Sequence, residues 1–342
     1  MLNKNSQKLL ALFSWVAIVA MLLSSCGQTK TKMYHVGILS GLDAFASAVD
    51  GFKAKMTELG YVEGKNITYD VESTDVDLEA YKRITKKFVD DKVDLIFVFP
   101  TEAAMEAKAA TQGTNIPVVF ALSFTDVKGV DLIQSIREPG GNITGVRFPS
   151  ADIANKRLQI LLAMAPNAKR IFVPYLKDYP NVPGQLDVIQ QQAEYLGIKL
   201  IDFAATSPQD LQAEMDSFVT SDGIVIDAIL MIAEPLAITQ PFYAVLGKFS
   251  YEHQIPIGGA PMSIEGLNIG GEDGSIFGLL PRPDAAGDQA AILADKIFRG
   301  TSAGTIPVSS SDGYFQINYK AAEAFGLTVP ESILKQADEI VR

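Results

Sequence analysis

The sequence predicts an α/β protein of two lobes, each a parallel sheet covered by helices on both faces. Three observations predict it. Short apolar strands alternate with amphipathic helices through 36–122, the order that builds a parallel sheet buried on both sides. The same alternation starts again at residue 153. A chain of 342 residues, 48% hydrophobic and 20% charged, is a packed globular protein too long for one ordinary core.

The N-terminus comes first. Lys4 and Lys8 precede an apolar run, 9–23, broken only by Ser14. As a helix that run spans ~22 Å, short of the ~30 Å hydrocarbon core, and so reads as a signal-peptide core. Leu23-Ser24-Ser25-Cys26 follows and resembles the bacterial lipobox, in which the cysteine is lipidated and becomes the new N-terminus. Cys26 is the sole cysteine. The expectation is a signal peptide at 1–25, a lipidated Cys26 and a polar tether at 26–33. Two or three acyl chains at ~0.8 kcal/mol per buried CH₂ hold a protein on a membrane far better than one. The mature protein is then extracytoplasmic and anchored.

Val36-Gly37-Ile38-Leu39 is the first strand, and Phe45, Val49, Phe52, Met56 and Leu59 follow at helical steps, closed by Gly60. Strands at 67–71 and 94–99 flank a helix marked by Leu78, Tyr81, Ile84 and Phe88. Thr101 is placed as the cap of an alanine-rich helix, before a strand at 117–122. Arg137-Glu138-Pro139-Gly140-Gly141-Asn142-Ile143-Thr144-Gly145-Val146 is a turn and then a strand that leads out of the first lobe. In the second lobe helices are expected at 153–165, 186–196, 209–219 and 241–252, and strands at 170–175, 199–203, 223–229 and 255–259. The tail adds short strands at 275–280, 306–308 and 314–317 and helices at 286–297, 319–325 and 330–341. That surplus fits a chain that crosses back to the first lobe and returns. The expected lobes are 34–147 with 278–304, and 148–277 with 305–342.

The net charge of −11 and the lack of a Lys/Arg cluster argue against a nucleic-acid partner. No nucleophile elbow, P-loop, phosphate-binding glycine fingerprint or metal-ligand spacing occurs, so no catalytic residue, metal or cofactor is expected. His35 and His253 read as ordinary strand-edge or loop residues, and Ser263, Glu265 and Asp273 as a solvated loop. What remains are the strand C-terminal ends, outside which ligands bind in open α/β sheets. They fall at 40–45, 99–102, 122–126, 175–179, 227–230 and 259–263. The candidate ligand-binding residues there are Ser40, Phe45, Thr101, Glu102, Ser123, Thr125, Tyr175, Tyr179, Asp227 and Met262. Aromatics among small hydroxyls suit a small, partly apolar organic solute.

From 36 to 342 the sequence is similar to the substrate-binding lipoproteins of ABC transporters, in the group that includes tryptophan- and tyrosine-binding members. Leu59-Gly60-Tyr61-Val62-Glu63-Gly64-Lys65-Asn66-Ile67, Ile116-Pro117-Val118-Val119-Phe120-Ala121 and Glu138-Pro139-Gly140-Gly141-Asn142-Ile143-Thr144-Gly145-Val146 carry the resemblance. Phe325-Gly326-Leu327-Thr328-Val329-Pro330 continues it near the C-terminus. It implies a type I periplasmic binding protein fold, with two Rossmann-like lobes and three interlobe crossings near 146–148, 275–278 and 305–308. It also implies a monomer serving a membrane permease and a cytoplasmic ATPase. The implied ligand is an aromatic amino acid or related carboxylate. Family members usually carry a Pro-Thr-Asp-Asn-like run after the third strand of the second lobe. Here that stretch reads Asp227-Ala228-Ile229-Leu230-Met231-Ile232, and Asp227 is the acid expected to substitute, shifted in register. The alternatives are a sensor of the same fold feeding a membrane signalling protein, and a lipid-anchored enzyme, which the missing catalytic constellation disfavours.

Overall fold

The computed structural model describes residues 32–260 and 275–342. The expected signal segment, Cys26, Met262, Ser263, Glu265 and Asp273 lie outside the described residues. In the first lobe the chain runs β1 (Tyr34–Ser40), α1 (Ser47–Glu58), β2 (Ile67–Ser73), α2 (Leu78–Asp90), β3 (Leu95–Phe99), α3 (Thr101–Ala110), β4 (Val118–Ser123) and β5 (Ile143–Arg147). β3 is buried along its whole length, as a central strand covered on both faces must be. On α1, Ala48, Phe52 and Met56 form the buried face at four-residue steps. Asp77 caps α2, its carboxylate accepting from the Ala80 backbone N–H.

The second lobe repeats the plan: α4 (Ser150–Met164), β6 (Arg170–Leu176), α5 (Val182–Leu196), β7 (Lys199–Ala205), α6 (Pro208–Ser217), the small pair β8 (Val219–Thr220) and β9 (Gly223–Ile224), β10 (Ala228–Leu230), α7 (Gln240–His253), β11 (Ile257–Gly259) and β12 (Ser275–Pro281). The chain then returns through α8 (Pro283–Phe298) and β13 (Ser309–Ser310) to the first lobe. It closes the second with β14 (Gly313–Asn318), α9 (Tyr319–Ala324), α10 (Glu331–Leu334) and β15 (Glu339–Val341). The first sheet has the order β13-β5-β4-β3-β1-β2 and the second β15-β14-β12-β11-β10-β6-β7. Among the described residues only the β12–β14 pairing in these two sheets is antiparallel.

Strand pairing moves the crossings along the chain. β12 stays in the second sheet to Pro281, because its ladder with β14 continues to the pair Pro281–Gly313. β13 still pairs with β5 at 309–310, so the third crossing comes after it rather than at 305–308. The connections therefore lie at 148–149, at Arg282 and at 311–312. They touch one another: Ser311 N–H donates to Arg147 O at 3.0 Å, and Arg282 N–H to Asp312 O at 3.4 Å. The expected helix over 330–341 is also replaced. α10 stops at Leu334, and Asp338 then ties its carboxylate to Phe315 N–H, which lets 339–341 add an edge strand to β14. The glycine-rich turn before β5 is a lock. Gly140 N–H donates to Gly304 O at 3.0 Å, and a Cβ on Gly304 would lie 2.3 Å from Gly141 O. Thr144 Oγ1 adds a bond to Ile306 O at 2.8 Å, so this motif holds the returning chain on the first lobe.

Candidate functional site

The C-terminal ends of the two parallel sheets face each other. Tyr179, just past β6, is close enough to Glu102, just past β3, and to Glu234 of its own lobe for both carboxylates to act on its phenol. Burial first, then these two charges, pushes that phenol up to about 12. At the base of the cleft Phe124 of the first lobe meets Phe148 of the first crossing edge-on, with ring centroids 5.5 Å apart.

The wall of the first lobe is built from the ends of β1, β3 and β4. α3 starts directly after β3, and its N-cap is Pro100, which makes no side-chain cap bond. Thr101 is thus the first helical residue and not the cap. Its Oγ1 accepts from Phe124 N–H at 3.0 Å, stitching the ends of β3 and β4 together. Glu102 is exposed in the first turn of α3. Ser123 is turned inward and donates to Ala121 O at 3.0 Å, which removes it from the cleft surface. Ser40 is buried at the end of β1, and half-buried Phe45 packs on the core from the turn Asp43–Phe45. Thr125 differs from the other hydroxyls, because its Oγ1 is buried with no partner.

The wall of the second lobe is organised by the turn after β10. The Gln185 amide pairs with the Ala233 peptide in both senses, accepting from Ala233 N–H at 2.7 Å and donating to Ala233 O at 3.1 Å. Asn181 Nδ2 donates to the same carbonyl at 2.8 Å. Asn181, 1% exposed, has its Oδ1 left over, and Glu234, 7% exposed, has its Oε1 left over. Glu234 Oε2 accepts from Leu176 N–H at 3.2 Å. Burial pushes the Glu234 carboxyl up to about 7, against the pull of backbone N–H groups at Leu236, Leu176 and Ala237 and of the Arg157 charge. Among the described residues neither Asn181 Oδ1 nor Glu234 Oε1 has a well-formed hydrogen bond, although the Leu236 and Ala237 N–H groups lie near the carboxylate, so both oxygens can accept from a donor-rich group.

Two expected site residues do not belong to this wall. Asp227 precedes β10 and so lies at the opposite end of the sheet. Its carboxylate accepts from Lys169 N–H at 2.9 Å and Arg170 N–H at 2.8 Å and pairs with the Arg170 guanidinium at 2.5 Å. It clamps the start of β6 to the start of β10. Tyr175 lies back along the edge of the sheet, its hydroxyl 3.2 Å from Asp202, which stands two residues before its register partner Ala204. Sequence reasoning missed Glu234, although a lone acid inside Met231-Ile232-Ala233-Glu234-Pro235-Leu236-Ala237 was visible there. A separate groove of ≈ 1250 Å³ lies at the far end of the first sheet, lined by Lys32, Tyr34, Asp94, Lys108 and Phe298 among others. There Lys32 pairs with Asp94 at 3.1 Å and Lys108 donates to the Asp131 carbonyl.

The model of the family of ABC transporter substrate binding proteins matches residues 36–341. The chain belongs to this family. Its members bind solutes and are not enzymes. Among curated relatives, a tyrosine-binding protein of Clostridioides difficile is 27% identical over 328 residues, 90% of this chain and 88% of the relative. Among solved structures, the ligand-free, open form of a Clostridium difficile substrate-binding protein with adhesive properties superposes with a TM-score of 0.74. It is 25% identical and covers 90% of this chain and 99% of that one. A Streptococcus pneumoniae ABC domain in complex with L-Trp has a TM-score of 0.71 at 22% identity, covering 91% of this chain and all of that one. These neighbours share the two-lobed fold described above. The acid on this wall is Glu234, four residues past the end of β10.

Proposed function

We propose that this protein is the extracytoplasmic solute-binding lipoprotein of an ABC importer, taking an amino acid with an aromatic or bulky apolar side chain between its lobes. The observation that carries this reading is the pair of buried, donorless oxygens on the second wall, Glu234 Oε1 and Asn181 Oδ1. An α-ammonium supplies both charge and donors to them. On the first wall the unpartnered Thr125 hydroxyl and the free N–H groups at the start of α3 receive the carboxylate. Phe45 and Tyr179 flank the apolar body. The tyrosine-binding relative supports the same class of ligand. Cys26 holds the protein to the membrane, and a permease with its ATPase takes the solute onward.

A thermal-shift screen of the twenty standard amino acids tests the ligand class. At about 100 times Kd a ligand adds ~2.7 kcal/mol, a Tm rise of roughly 5–10 °C for lobes of this size. L-tyrosine, L-tryptophan or L-phenylalanine is expected to give it. A flat response to all twenty, with the protein folded, ends the amino-acid reading. The anchor is tested separately, since Cys26→Ser should release the protein from membranes or leave it unprocessed.

A further inference from the structure

We propose that Arg157 is the positioning residue of the cleft. By tying β10 and β12 to one buried guanidinium, it fixes the turn that carries Glu234 and favours the charged form of that carboxylate for the solute's cationic group.

Arg157 rises from α4 into the interior and is 0% exposed. Its Nη1 donates to Met231 O at 2.9 Å, just past β10. Its Nε and Nη2 donate to Leu279 O on β12 at 3.1 and 2.7 Å. β11 stands between those two strands, so the guanidinium passes across its end. That passage exists because the residue there is Gly259, at φ +92, where a Cβ would lie 2.8 Å from Arg157 Cδ and 2.6 Å from Met231 O. Met231 begins the turn that ends in Glu234, so the staple sets where the carboxylate stands.

The second half of the inference is electrostatic. Among the described residues no carboxylate lies within ion-pair distance of Arg157, and its bonds go to carbonyl dipoles instead. A buried guanidinium is far costlier than a methionine of similar reach would be, so packing alone does not account for it. Its charge acts through a low-dielectric interior on Glu234, and opposes the burial that favours the protonated acid. The groups facing Glu234 are the N–H groups of Leu176, Leu236 and Ala237, the Tyr179 phenol, and Arg157. α7, packed on the same turn, contributes the buried Tyr243. Glu102 across the cleft reaches Tyr179. Of these groups Arg157 is the cation.

The inference rests on the reading of Glu234 as acceptor for the solute, but its test uses no solute, so the two fail separately. The full chain, labelled with ¹³C at glutamate carboxyls, is titrated by NMR, and Glu234→Gln identifies the resonance. The wild-type midpoint is expected near neutrality. Arg157→Met should raise it. Arg157→Lys keeps the charge but not the fork, and should lower Tm while holding the midpoint within about half a pH unit. A folded Arg157→Met protein with an unmoved midpoint overturns the proposal. If that variant does not fold, the other two proteins decide. An Arg157→Lys midpoint displaced from the wild type's by about a full unit or more overturns it.

Discussion

The two walls of the cleft follow one backbone plan and carry opposite chemistry. The first ends its strands in hydroxyls, two of them spent on neighbouring backbone: Thr101 on Phe124 N–H and Ser123 on Ala121 O. The second ends in a buried carboxylate and a buried amide, with Glu234 Oε1 and Asn181 Oδ1 lacking a hydrogen-bond partner among the described residues. Strand ends of a parallel sheet are equivalent as backbone, so polarity is decided by the few residues after each strand. The contrast repeats along a single strand. Asp227, before β10, is fully bonded and is a clamp. Glu234, beyond the same strand, is half bonded and is an anchor.

The largest effect should come from Glu234→Gln. The substitution keeps shape and an acceptor for Leu176 N–H but removes the charge. Losing a charge-assisted bond to an ammonium costs ~1.5–3 kcal/mol, or roughly 10–150-fold in Kd by calorimetry. Stability should move the other way. Folding raises this carboxyl from its ordinary 4.5 to about 7. Its contribution is therefore fully present below pH 4.5 and is lost as pH rises through 7, because the folded state binds the proton more tightly. The wild type should shed up to ~3 kcal/mol between those limits, and the variant should keep it. Urea melts at pH 5 and pH 8 would show this, and equal pH dependence in both proteins would remove Glu234 from the account.

Asp227→Ala sharpens the comparison from the other end of β10. Two backbone N–H groups and the Arg170 guanidinium lose their acceptor, so about 2–3 kcal/mol of stability should go. Binding should stay within a factor of about two. Burial pushes this carboxyl up, but the Arg170 bond and the two N–H groups outweigh it and hold it below its ordinary 3.8. Its contribution is accordingly present above that value and lost as pH falls further, the reverse of Glu234. A tenfold loss of affinity would restore Asp227 to the site.

Much of this was legible before any coordinates. Alternating strands and helices, the restart of the plan after Phe148 and the family segments gave two lobes, because those signals are local and periodic. Boundaries at the crossings were not legible, since only the pairing of β12 with β14 decides how far the chain remains in the second sheet. The strand-end rule offered Thr125 and Tyr179 as candidates, and both lie at the ends of strands on the two walls. It failed at Asp227, where the expected strand 223–229 hid two short strands and placed the acid at the wrong end. Arg157 was passed over although it sits four residues from both Ile153 and Leu161 on the buried face of α4. A charge at a core position of a helix is a signal that periodicity alone reads as noise.

The smallest effects separate two threonines on the first wall. Thr101 and Thr125 were both candidate ligand hydroxyls near strand ends, Thr101 also placed as a helix cap. In the structure Thr101 has its partner inside the protein and Thr125 has none. Thr101→Val would leave Phe124 N–H without its acceptor, and should lower stability by about 1–2 kcal/mol, a Tm fall of roughly 2–8 °C. Thr125→Val deletes a buried oxygen that already lacks a partner, so the ligand-free protein should melt within about 2 °C of wild type or slightly above it. With the bound solute the order should invert. Thr125 loses a bond made only in the complex, ~1 kcal/mol or about fivefold in Kd, whereas Thr101 keeps affinity within about twofold. Measuring both quantities for both variants gives four numbers with a fixed pattern. If Thr125→Val binds as wild type does, the carboxylate end of the solute is held elsewhere on the first wall, and the polarity proposed for the cleft loses its anionic half.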